Sequence, residues 1–156
     1  MDAALVLLHS YLRWLLLVLL LASIIKSFSG FRYKKTLSAG DKKLWLFTMI
    51  SAHVSLLVGL YLVLFGRFGV FTFTPAPGTK VMKDNFLRFF WVEHPVMMII
   101  AITLITIGRG QVKKPIPDAV KYKKAFWFFL IALLVILAAI PWPGYKDTGR
   151  ALIPGI

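Results

Sequence analysis

The sequence predicts an all-α integral membrane protein, an up-down-up-down four-helix bundle with both termini outside. Three observations carry the expectation. The 156-residue chain is 59% hydrophobic, with a mean hydropathy of +0.79, and a soluble domain of that size leaves too much surface exposed to hide so much apolar area. Its apolar residues gather in four long stretches, most near the roughly 20 residues that cross a bilayer. Its charge of +13 is unevenly placed. Twelve lysines and arginines lie between Lys26 and Lys43 or between Arg109 and Lys124, against six between Arg67 and Arg88 or after Tyr145. That bias matches the positive-inside rule.

The first stretch, about residues 3–25, lacks the basic start of a signal peptide, exceeds its apolar length and contains Arg13. It is therefore expected to be a retained helix. Ser27 to Gly30 are expected to end it. In "SAGDKK", Ser38 or Asp41 is the expected cap of a second helix, about 44–65. The connection after it alternates Val70, Phe71, Thr72, Phe73 and Thr74, a pattern for a short extended segment, with a turn at Pro75 to Gly78. Asp84 or Asn85 should cap the third helix, about 89–107, and Pro95 should kink it. The fourth, about 122–141, has no charged side chain from Ala125 to Ile140. A Pro- and Gly-rich tail follows, whose Trp142 and Tyr145 suit the headgroup region. No linker divides residues 1–156, so one membrane domain is expected.

Composition also excludes chemistry. Without cysteine there are no disulfides, thiolate metal sites or CxxCH haem attachments. No HExxH, nucleophile elbow or phosphate loop supports hydrolysis. No aromatic–basic module accompanies the charge, so nucleic acid is not an expected partner; the bilayer and its anionic lipids are.

Polar residues at membrane depth are the candidate site. His9, His53 and His94 lie one each in the first three helices, where an ionisable side chain is costly and faces the bundle interior or a functional site. Counted inward at 1.5 Å per residue, His9 and His94 both lie roughly 9 Å deep and His53 roughly 20 Å. His9 and His94 are thus the matched pair, on helices diagonal in a simple bundle. Two facing neutral imidazoles can supply both axial positions of a haem iron. His53 is an alternative ligand, or a proton-handling group near a quinone. Small residues Ala52, Ser55 and Gly59 would let a flat ligand or another backbone come close, and Ala138 and Ala139 offer the same on the fourth helix. Met97, Met98 and Ala101 share the His94 face. Arg13, one turn below His9, requires an anionic or dipolar partner: a haem propionate, a quinone oxygen or Glu93. Glu93 suits supporting or proton work better than a strained three-His metal site, because adjacent helix positions diverge by roughly 100°.

"LHSYLRW", "FTMISAHVSLLVGLYL", "LRFFWVEHPVMMIIAITLITIG" and "ILAAIPWPG" resemble blocks of a family of small bacterial four-helix membrane proteins called cytochrome b-like. The likeness spans most of residues 5–144 and includes His9, Arg13, His53, Glu93 and His94. It implies b-type haem, the bacterial inner membrane, and a place in respiratory electron transport, without settling which histidines bind iron. The leading expectation is one haem b held by His9 and His94, passing electrons between a quinol pool, or a larger partner complex, and a redox partner. The alternatives are a non-catalytic accessory subunit of a respiratory complex, and a proton pathway through Arg13, His53 and Glu93. A complete enzyme is not expected from so small a chain.

Overall fold

A computed structural model describes residues 2–145 and 147–151. Four spans are long and apolar enough to cross a membrane: Ala3–Arg32, Ala39–Phe65, Asn85–Lys113 and Asp118–Ala139. The first lies in α1 (Asp2–Arg32), the second is α2 (Ala39–Phe65) and the fourth is α5 (Asp118–Ala139). The third joins α3 (Asn85–Arg88), a π turn (Phe89–Glu93) and α4 (His94–Gly110), ending in a 3-10 turn (Gln111–Lys113).

The helices overrun the apolar stretches that predict them. Helix α1 continues through Ser27–Gly30 to Arg32 because this segment is packed rather than solvated. Ser27 is fully buried, and the Tyr122 ring lies within 2.4 Å of where a Gly30 Cβ would stand. A Schellman-type stop follows, in which Lys35 N–H bonds the Gly30 carbonyl (2.9 Å) and Lys34 takes φ 50°. Ser38 caps α2 by accepting from Asp41 N–H (3.1 Å), and Asp84 caps α3 by accepting from Leu87 N–H (2.9 Å).

One expectation is overturned. The Val70–Thr74 alternation forms turns, not an extended segment. Val70 and Phe71 N–H bond back to the carbonyls of Val63 and Leu64 (2.8 and 3.0 Å), and a lone strand has no other way to satisfy its backbone. Trp142, partly buried just after α5, packs against the core and donates its indole N–H to the Leu137 carbonyl (2.8 Å). The Pro77–Gly78 turn does form, with Gly78 at φ 83° and Thr79 N–H bonded to Ala76.

Helix α1 packs on α2 and α5, and α4 packs on the same two, so α1 and α4 hold diagonal corners. Contacts pair the start of α1 with the end of α2 (His9 at Gly59) and its later part with the start of α2, where Ser23 and Thr48 share a 2.8 Å hydrogen bond. The core is densest toward the loops 33–38 and 114–117, hereafter the lysine end. There Trp45 stands edge-on to Tyr122 and Phe129, both at 5.6 Å, and all three rings are at most 1% exposed. The Asp118 carboxylate ties the two loops together by accepting Leu37 N–H (2.9 Å). The histidines of α1 and α4 lie toward the opposite end.

Candidate functional site

The π turn explains how His94 is presented. Pro95 has no N–H and would leave a gap in an ordinary i−4 ladder. The chain widens for one turn just before it, and His94 N–H reaches back five residues to the Phe89 carbonyl. Such π turns recur where a helix must aim a side chain for a function. The wide turn also sets Arg88 and Glu93 on one side, where Arg88 Nε donates to the Glu93 carboxylate at 2.8 Å. Glu93, one of the partners considered for Arg13, is thus paired locally with Arg88, at the rim of the bundle.

His94 Nδ1 donates to the carbonyl of Ala139 on α5 (2.8 Å). That carbonyl is available for a reason legible in "AAIPWP". In a continuing helix it would accept from residue 143, which is proline and has no N–H. Leu137 is in the same position relative to Pro141, and the Trp142 indole takes its carbonyl. Because a carbonyl can only accept, the neutral His94 ring carries its proton on Nδ1 and leaves Nε2 as a lone-pair donor.

His9 faces this ring across the bundle. The ring centroids are 6.3 Å apart and the planes are inclined at 76°. Gly59 of α2 makes room for it, since a Cβ there would lie 3.1 Å from His9 Cε1. His9 Nδ1 is buried without a well-formed hydrogen bond, although the Ser55 carbonyl approaches the same ring. The two imidazoles share a cavity of about 40 Å³, lined also by Ser55 and by apolar side chains such as Leu16, Met98 and Ile102. Arg13 and Arg150 both lie within electrostatic reach of the two rings. Arg13 also stacks on Trp14, with 5.6 Å to the ring centroid.

The structure thus brings together His9, His94, Gly59 and the charge of Arg13. It does not bring His53 to them. That ring is exposed on the outer side of α2, its Nδ1 bonded to the Met49 carbonyl one turn back (2.8 Å). No group of three or more His, Asp or Glu side chains able to hold a metal ion occurs among the described residues. Of the small residues, Ala52 and Ala139 are buried while Ala138 is exposed.

Arg150 has no precedent in the sequence reading. The tail after α5 folds back so that Arg150 N–H bonds the Pro141 carbonyl (3.1 Å) and its guanidinium lies 4.4 Å over Phe90. Asp147 accepts from Asn85 (2.8 Å), whose own side-chain oxygen accepts from Arg88 (3.0 Å). Only the Pro and Gly content of the tail hinted at such a turn.

Two neutral imidazoles are a donor type that would suit a haem iron, and His9 and His94 are the residues that would hold it. The free volume does not hold the macrocycle. About 40 Å³ is water-sized, whereas sites for drug-sized ligands span roughly 300–1,000 Å³. Comparison with protein-family models, with curated proteins and with solved structures found no match.

Proposed function

We propose that this chain is a haem b-binding protein of the bacterial inner membrane, passing electrons between a quinol pool or partner complex and a redox partner. The observation that supports it is the His9–His94 pair, 6.3 Å apart on diagonal helices, with the His94 proton committed to Ala139. The packing of α1 and α4 on the same two helices supports an up-down-up-down bundle, and the charge bias supports both termini outside.

When bound, a b haem supplies one-electron redox chemistry within the bundle. His9 and His94 would hold the iron. The Ala139 carbonyl fixes the tautomer and orientation of His94, a supporting role common behind metal-bound histidines. Arg13 and Arg150 supply positive charge beside the pair, suited to an anionic edge of a ligand. Gly59 keeps the His9 side of the slot open. Since the present cavity is water-sized, binding requires the apolar side chains around it to repack.

The small cavity favours one second reading, a non-catalytic accessory subunit whose imidazoles tie helices together. Absorption spectroscopy on the detergent-purified protein separates the two. The cytochrome reading expects a reduced α-band of a low-spin b haem that is lost in His9→Ala and in His94→Ala and kept in His53→Ala. Protein that remains colourless after haem supply, with its helical circular dichroism intact, overturns it in favour of the subunit.

A further inference from the structure

The lysine end holds a second cavity, unrelated to the histidines. It measures about 390 Å³ and lies where α1 ends, α2 begins and Tyr122 of α5 closes the floor. Its walls are polar: Lys26, Ser29, Lys35, Thr36 and Ser38, with Asp41 beside Tyr122. This lining is built rather than incidental. Lys34 adopts φ 50°, a left-handed conformation uncommon for a lysine. The reversal it makes turns Lys35 back toward α1, and Lys35 Nζ donates to Ser29 Oγ at 2.9 Å. Asp41 is anchored in the same lining. Both the Ser38 hydroxyl (2.7 Å) and the buried Tyr122 hydroxyl (2.6 Å) donate to its Oδ2.

Two ammonium groups against one carboxylate leave one unit of positive charge, which a single phosphodiester anion neutralises. The Ser29 and Thr36 hydroxyls in the lining can donate hydrogen bonds to its oxygens. The cavity also sits at the boundary between apolar helix and basic loop, where lipid phosphates lie if the four spans cross a bilayer. We propose that this cavity is a binding site for the phosphodiester headgroup of one membrane lipid, held between Lys26 and Lys35. The assignment does not depend on haem.

Native mass spectrometry of the full chain in detergent tests it, with phosphatidylglycerol as the probe and diacylglycerol of the same acyl chains as the control. One phosphatidylglycerol should stay bound while diacylglycerol does not. The double variant Lys26→Gln/Lys35→Gln should bind about thirty-fold more weakly, roughly a factor of five for each ammonium lost. Lys123→Gln/Lys124→Gln, which removes the same charge from the same end outside the cavity, should bind like the unmodified chain. Equal weakening by both double variants would mean diffuse attraction and overturn the site. Equal retention of diacylglycerol would overturn recognition of the phosphate. Displacement of the lipid by equimolar glycerol 3-phosphate would assign the cavity to a soluble phosphate ester and overturn the lipid.

Discussion

Two glycines, one toward each end of the bundle, meet a neighbouring ring at different distances. At the lysine end, Gly30 lies against the face of Tyr122, so close that a Cβ would fall within 2.4–2.5 Å of three ring atoms. That ring cannot retreat: Trp45 stands on one side of it and its hydroxyl is bonded to Asp41. At the histidine end, Gly59 lies against the edge of His9 with 3.1 Å available and a small cavity beyond. Below the polar cavity of the lysine end, the rings of Trp45, Tyr122 and Phe129 interlock around Gly30. Toward the other end, the contact to the His9 ring is looser and a small cavity adjoins it. A rigid level beneath a looser one is a reasonable way to position side chains without filling the space between them.

The comparison breaks most visibly at Phe129, which is fully buried between Trp45 and the backbone at Gly108. Phe129→Ala is expected to cost about 3 kcal/mol, at the low end of the range for such cavities, because lipid weakens the transfer component but not lost dispersion contacts. Reversible unfolding in micelles measures this. The position of any haem band should stay unchanged, since the substitution lies at the far end from the histidines. A shifted band would show that the two ends are mechanically coupled.

Gly30→Ala comes next. The added methyl gains about 1 kcal/mol of helix propensity, but it overlaps a ring held on both sides, where overpacking costs typically 1–3 kcal/mol. A net loss of up to about 2 kcal/mol is expected in the same unfolding assay. Tyr122→Ala in the Gly30→Ala background should recover most of the overlap, leaving the two losses far from additive. Additive losses would mean that Gly30 is constrained by something other than this ring.

How much of this was legible in the sequence follows from which signals carry distance. The four spans came from composition and length, and their ends were underestimated because polar caps and loops continue as helix when tertiary packing covers them, as Gly30 and Ser27 show. Counting depth along two helices matched His9 with His94, since rise per residue is nearly constant. The same constancy fixes azimuth. His53 is two residues from Ser55, roughly 200° around α2, so it could have been placed on the outer face once the Ser55–Gly59 side was taken as inner. The Ala139 carbonyl was also within reach, because Pro143 four residues later marks it as unpartnered. Arg150 was not. Its approach depends on a tail that folds back over Phe90, and no periodicity encodes that path.

The smallest expected effect is the sharpest test of the contrast. Gly59→Ala is the same chemical change as Gly30→Ala, made at the looser end. The 3.1 Å contact requires His9 to give way by a few tenths of an ångström, and the adjoining cavity lets it do so at little cost. Helix propensity offsets what remains, so stability should change by less than about 0.5 kcal/mol. The consequence should appear at the site instead. A displaced His9 ring alters the spacing to His94, so haem affinity should fall several-fold while the unfolding midpoint in haem-free micelles stays put. Full stability with unchanged affinity would mean that His9 is not held by Gly59. A stability loss as large as that of Gly30→Ala would mean the histidine end is as tightly packed as the lysine end, and the division between a rigid base and a yielding site would be lost.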